Sequence, residues 1–155
     1  MQEVCLVTGA GGFIGSHLVQ HLVESGKRVR AMVRYNSRGS VGWLASLPSP
    51  IVSELDIVFG DVRDAESATK AVSGCSQVFN LAALIGIPYS YEAPDAYVDV
   101  NIQGCLNLLQ ASRRLGITRF VQMSTSEVYG TARQVPISED HPLQPQSPYS
   151  ASKIG

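Results

Sequence analysis

Two side chains near the end of the sequence, Tyr149 and Lys153, stand at a spacing that can make a base out of a phenol. Residues four apart on a helix share a face, so the Lys153 ammonium would lie on the same side as the Tyr149 hydroxyl. A tyrosine titrates at about 10 and is a poor base at neutral pH. A neighbouring positive charge favours the phenolate and brings that value down, which lets the oxygen take a proton from a hydroxyl. Upstream, Ser124-Thr125-Ser126-Glu127 sets hydroxyls and a carboxylate in a row where an apolar stretch ends. Such groups hydrogen-bond and deprotonate polar substrates.

A second constellation lies near the start. Thr8-Gly9-Ala10-Gly11-Gly12-Phe13-Ile14-Gly15 follows a short apolar run and opens a helical pattern. In the register G-x-x-G-x-x-G, Gly9 permits a tight strand-to-helix turn and Gly12 lets backbone N–H groups approach a pyrophosphate. Gly15 allows close packing of helix on strand. The helix that begins at Phe13 and Ile14 adds its N–H groups and the positive end of its dipole. The stretch therefore predicts dinucleotide binding. At the end of a second strand, an acidic residue would hold the ribose hydroxyls of NAD. Here the residues are Arg34-Tyr35-Asn36-Ser37-Arg38. Arg34, Asn36, Ser37 and Arg38 suit a 2′-phosphate, which favours NADP over NAD; a solvated basic loop is the alternative.

These groups need a scaffold, and the patterning supplies one. Strand signals at Glu3–Thr8, Val29–Val33, Leu55–Phe59, Gln77–Leu81 and Phe120–Ser124 alternate with helical ones. The helices are expected over Phe13–Ser25, Ser40–Leu47, from an Asp64 cap to Val72, over Asp95–Leu115, and from about Tyr149 onward. On the first, Phe13, Ile14, Leu18, Leu22 and Val23 cluster on one face. On the long one, Leu106, Leu109 and Ala111 are core candidates. Pro48-Ser49-Pro50 reads as a loop. The alternation implies an α/β fold, a Rossmann-type doubly wound parallel sheet in three αβα layers, with residues 1–155 forming one NAD(P)-binding domain. The sequence stops as its last helix begins, which reads as a truncation before a C-terminal substrate domain.

Composition narrows the function classes. With 155 residues, 45% hydrophobic and 16% charged, the chain can bury a core. A net charge of −1 without basic runs argues against nucleic acid or an anionic membrane as partner. Cys5, Cys75 and Cys105 share no metal-ligand spacing and read as reduced thiols, so no metal is expected and a cytoplasmic location is. No apolar run approaches a membrane span.

Three further motifs follow the glycine turn in order: Gly60-Asp61-Val62-Arg63-Asp64, Asn80-Leu81-Ala82-Ala83 and Tyr149-Ser150-Ala151-Ser152-Lys153. Together they resemble the extended short-chain dehydrogenase/reductase family of sugar-nucleotide enzymes, and the resemblance covers the whole chain. It implies that Asp61 and Val62 face the adenine and that Leu81, Ala82, Ala83 and Ser124 line the cofactor. Tyr149 would deprotonate a sugar hydroxyl, and Lys153 would also hold the nicotinamide ribose. Thr125-Ser126-Glu127 is similar to the triplet of the nucleotide-sugar 4,6-dehydratases, where epimerases carry small or neutral residues in place of Glu127. The implied reaction oxidises C4, removes the C5 proton with Glu127 as water leaves C6, and returns hydride to C6. Thr125 would hydrogen-bond the C4 oxygen. Ser126 stands where another branch has aspartate, so either Glu127 serves twice or Ser126 relays a proton through water.

Ala83-Leu84-Ile85-Gly86-Ile87-Pro88-Tyr89-Ser90-Tyr91, Tyr35-Asn36-Ser37, the Trp43 loop and Ser147–Gly155 resemble the dehydratases of bacterial legionaminic-acid-type sugar synthesis. That branch implies a nucleotide-linked N-acetylglucosamine as substrate, and the wider family, whose members often pair through two helices, implies a homodimer of the full-length form. Its members are often labelled NAD-dependent, against the reading of Arg34 and Arg38. An epimerase or reductase of the same family, or a non-catalytic dinucleotide-binding module, are the competing readings.

Overall fold

A computed structural model describes residues 3–155. The chain divides into two compact units, one of residues up to Ala82 with Gly104–Met123, the other of Ala83–Gln103 with Ser124–Gly155.

The first unit is a five-stranded sheet, β1 (Val4–Thr8), β2 (Arg28–Val33), β3 (Leu55–Phe59), β4 (Gln77–Asn80) and β5 (Arg119–Gln122). The spatial order is β3-β2-β1-β4-β5 and every pairing is parallel. Central β1 carries Cys5, Leu6 and Val7 with no exposure, because a parallel strand is covered on both faces. The register sets Val7 beside Ala31 of β2 and Phe79 of β4, and sets Asn80 beside Gln122 of β5.

Helix α1 (Phe13–Glu24) packs with a 3-10 turn at Gly42–Ser46 and with α2 (Ser49–Ser53), while α3 (Ala65–Val72) packs along α6 (Gly104–Leu115). Strand order reverses after β3, so right-handed crossovers put these two groups on opposite faces. The expected doubly wound, three-layer α/β fold is what forms. Val19 of α1 and Leu44 of the 3-10 turn are fully buried with Val7, Ala10, Val29 and Ala31. The expected cap of α3 is present: Asp64 Oδ1 accepts from the Ser67 N–H at 2.6 Å.

The second unit contains α4 (Ile87–Glu92), α5 (Pro94–Tyr97), a π-helical turn (Val98–Gln103), a 3-10 turn (Ser126–Val128) and α7 (Pro148–Ile154). Helix α7 packs on α4, α5 and both turns. Its N-terminus is closed by a capping box in which the Ser147 and Ser150 hydroxyls each accept from the other's backbone N–H.

Several local expectations are corrected. Pro48-Ser49-Pro50 is not a loop but runs into α2, because a proline is tolerated in a helix's first turn, where the N–H lacks an intrahelical partner anyway. The helix expected over Ser40–Leu47 is a shorter 3-10 turn, and β5 ends at Gln122 rather than Ser124. The helix expected over Asp95–Leu115 forms as α5, the π-helical turn and α6. Leu106 and Leu109 are exposed, while Leu108 and Ala111 are buried, because Gly104, Leu108, Ala111 and Ser112 form the inward face of α6 and Leu106 and Leu109 lie off it. Phe13 and Ile14 are exposed although Leu18, Leu22 and Val23 pack against the core, since helix α1 starts at the rim of the sheet.

Candidate functional site

In the first unit the glycine turn is built by close approach. Gly9 has φ +65°, and a Cβ on it would lie 2.9 Å from Ala82 N and Leu81 C, where the chain leaves β4. A Cβ on Gly15 would run into the Gly9 carbonyl. Glycine therefore keeps strand and helix in contact at both positions. Gly12 caps α1 with no side-chain hydrogen bond, so the first-turn N–H groups keep their donor capacity. A glycine-lined turn with open donors at a helix N-terminus fits a pyrophosphate. Phe13 and Ile14 stand exposed at that end.

Beneath the turn runs a polar chain that sequence reasoning missed. Buried Thr8 donates from Oγ1 to Asn80 Oδ1 at 2.5 Å, and Asn80 Nδ2 donates to Gln122 Oε1 at 2.8 Å. The Ala82 N–H donates to Thr8 Oγ1 at 3.2 Å, which ties Leu81-Ala82 to the end of β1. Thr8, Asn80 and Gln122 thus join the C-terminal ends of three neighbouring strands, the side of such a sheet on which ligands bind. A hydroxyl and two amides at the ends of apolar strands are the signal that could have found them.

Arg34, Ser37 and Arg38 are exposed beyond the end of β2. Asn36 uses its side chain inside the loop, where Oδ1 accepts from the N–H groups of Arg38 and Ser40, both at 3.1 Å. Asp61 holds the Arg63 guanidinium in a fork, with Nη2 to Oδ2 at 2.6 Å and Nε to Oδ1 at 3.0 Å. That hydrogen bonding keeps its carboxyl below its ordinary range, with Arg34 adding to the effect. Val62 is buried beside it.

In the second unit, Thr125 opens the 3-10 turn and its Oγ1 accepts from the Glu127 N–H at 3.3 Å. Ser126 and Glu127 are exposed, with Ser124 before them. Tyr149 and Lys153 both lie on α7, as their spacing predicts; Tyr149 is buried and Lys153 half-buried. Tyr97 meets the Tyr149 ring edge-on with centroids 6.3 Å apart, and its hydroxyl donates to the Gly86 carbonyl at 2.5 Å. Burial, with Tyr89 nearby, pushes the Tyr97 phenol up, so it stays a neutral donor.

Asn101, on the π-helical turn, was also missed. Its Oδ1 accepts from the Leu84 N–H at 2.8 Å, and its Nδ2 donates to the Leu84 carbonyl at 3.0 Å and to Ser152 Oγ at 2.8 Å. Ser152 in turn donates to the Tyr149 carbonyl at 2.7 Å. One amide thus fixes the backbone just after Ala83 and the middle of α7. An asparagine within an otherwise helical apolar stretch is the only signal the sequence offers for this. Among the described residues no cluster of three His, Cys, Asp or Glu could hold a metal, and no helix is long and apolar enough to cross a membrane.

The sheet order, glycine turn and motif order define a Rossmann-type dinucleotide-binding fold of the nucleotide-sugar dehydratase and epimerase class. The GDP-mannose 4,6 dehydratase family profile matches residues 6–155, and the chain belongs to that family. It is 38% identical over 152 residues to UDP-glucose 4-epimerase of Streptomyces lividans, covering 96% of this chain and 44% of that protein. The solved structure of DesIV, a dTDP-glucose 4,6-dehydratase from Streptomyces venezuelae with NAD and TYD bound, superposes with a TM-score of 0.87. It is 34% identical, covering 98% of this chain and 48% of that one. TunA, an NAD-dependent NDP-hexosamine 5,6-dehydratase involved in tunicamycin biosynthesis, gives a TM-score of 0.80 at 34% identity, covering 99% and 47%. The chain thus spans somewhat under half the length of these relatives.

Proposed function

We propose that the whole protein is an NAD(P)-dependent 4,6-dehydratase of a nucleotide-linked N-acetylglucosamine, and that this chain carries its cofactor grip and its proton-handling residues. The observation that carries the reading is Glu127, an exposed carboxylate on a 3-10 turn that Thr125 caps. An epimerase needs no carboxylate there, because it removes no carbon-bound proton; a dehydratase does.

When bound, the nicotinamide dinucleotide accepts hydride from the sugar and returns it, so the reaction is redox-neutral. Its pyrophosphate would be held by Gly9, Gly12, Phe13, Ile14 and Gly15, and its adenosine end by Asp61 and Val62. The two guanidiniums of the exposed Arg34 and Arg38, with the Ser37 hydroxyl, would suit a 2′-phosphate, while Asn36 shapes the loop that carries them, which favours NADP over the NAD of the solved relatives. By the family resemblance Leu81, Ala82, Ala83 and Ser124 would line the nicotinamide side.

Tyr149 takes the C4 hydroxyl proton as the C4–H bond breaks, with the Lys153 ammonium favouring its phenolate. Thr125 donates to the C4 oxygen. The C4 ketone acidifies C5–H, and Glu127 removes that proton while the C6 hydroxyl leaves as water. Glu127, or Ser126 through a water, would pass a proton to the departing oxygen. As C6 takes back hydride, C5 would regain a proton from Glu127, recharged by solvent where it has already protonated that oxygen. TunA's hexosamine substrate class supports the acetamido-sugar reading, and the full-length form is proposed as a homodimer.

The test is the full-length enzyme with UDP- or GDP-N-acetylglucosamine, read by the alkaline absorbance of the 4-keto product. Product formation is expected. Inversion at C4 without water loss would establish the epimerase instead, a reading favoured by the identity to the Streptomyces lividans enzyme. Mass spectrometry of the released cofactor decides between NADP and NAD.

A further inference from the structure

The loop that follows β2 is bonded to itself and then fastened to the glycine turn. Besides accepting from Arg38 and Ser40, Asn36 donates from Nδ2 to the Ser40 carbonyl at 2.9 Å, and its own carbonyl accepts from the Gly39 N–H at 3.0 Å. Ser40 Oγ accepts from the Gly42 N–H at 3.2 Å. The far end then closes on the turn, where the Trp43 N–H donates to the Gly11 carbonyl at 2.9 Å. Gly42 has φ +63°, and a Cβ on it would collide with that same carbonyl. A Cβ on Gly11 would lie 2.8 Å from the Val41 carbonyl oxygen. Two backbones therefore touch with no side chain between them. The exposed Trp43 ring meets Phe13, the first residue of α1, edge-on at 5.7 Å, and Leu44 behind it is fully buried.

Resting on the dinucleotide reading, we propose that Gly42 and Trp43 are positioning residues for the adenosine end of the cofactor. Their backbone joint with Gly11 fixes the span between the pyrophosphate turn and the Arg34–Arg38 segment, and so sets the discrimination between NADP and NAD. Arg34 and Arg38 are exposed, so the course of the loop backbone sets where their guanidiniums start from. A loop held only by β2 would have to order itself on each binding event; one held at both ends is ordered in advance.

Calorimetry on this chain with NADP and with NAD tests the joint, comparing the wild type with Gly42→Ala. The ratio of the two dissociation constants is expected to move toward unity by roughly fivefold or more, as the cost of ordering returns on the more demanding ligand. A joint needed only for folding would weaken both ligands alike and leave the ratio unchanged, which overturns the proposal. A wild-type ratio of one overturns it as well. No wild-type binding of either nucleotide would sink the dinucleotide reading and the proposal with it, so the two failures are distinguishable. Should Gly42→Ala fail to fold by circular dichroism, Trp43→Ala decides, with a smaller shift expected in the same direction.

Discussion

The Asn101 amide donates to Ser152 Oγ across 2.8 Å, and both residues are buried. Ser152 stands on α7 between Tyr149 and Lys153, so the bond reaches the helix that carries the proposed base. Replacing Asn101 by leucine would leave Leu84 N–H and carbonyl groups without their side-chain partner. A stability loss of about 2–4 kcal/mol is expected from those orphaned groups. Denaturant unfolding of this chain measures it, and a loss below about 1 kcal/mol would mean that water replaces the amide.

Gly15→Ala puts a methyl group onto the Gly9 carbonyl, a backbone atom that has no side-chain rotamer with which to yield. Helix α1 must then back away from β1. Dinucleotide affinity is expected to fall by about tenfold or more, with destabilisation of roughly 1–3 kcal/mol. Titration calorimetry alongside thermal melts separates the two effects; unchanged affinity would remove the turn from the binding site.

In the full-length enzyme, Glu127→Gln keeps the shape of the side chain and removes its basicity. Formation of the 4-keto product should drop by about 10²–10⁴-fold. Oxidation at C4 should persist, visible as absorbance of reduced nicotinamide on adding substrate. Product formation at the wild-type rate would take Glu127 out of the reaction.

The Asp61 carboxyl is held below its ordinary value of 3.8, chiefly by its fork with Arg63. A depressed carboxyl stabilises the fold above its unfolded value, and the contribution disappears as pH falls through the folded one. With Arg63 half exposed, the pair is worth about 0.5–1 kcal/mol. The Tm gap between wild type and Asp61→Asn should therefore stay level from neutral pH down to about 5 and close below about 3.8. A gap that widens in acid would reverse the assignment.

The spatial order β3-β2-β1-β4-β5 is set by packing that no single run encodes, whereas patterning made the sheet legible because its strands are apolar runs between turn signals. The glycine turn was readable for the same reason: each glycine answers a local steric demand. Asn101, Tyr97 and the Thr8–Asn80–Gln122 chain were not, because their partners lie far away in sequence and no local spacing announces them. The π-helical turn was hidden too, since its extra residue leaves the apolar pattern helical to the eye. Gly42 differs again. Its φ and its contact with Gly11 depend on a loop whose closure no periodicity encodes.

The two compact units alternate along the chain, with changeovers after Ala82, Gln103 and Met123. A single nick or recombination point at any of these places leaves at least one unit divided. Thr125, Ser126, Glu127, Tyr149 and Lys153 all fall in the second unit, while Gly9, Gly12 and Gly15 fall in the first. Grafting the proposed proton-handling residues onto the glycine turn of a relative would therefore take a two-cassette exchange, 83–103 together with 124–155. Moving one cassette alone would strand Asn101 from Ser152 and deliver α7 without the amide that seats it.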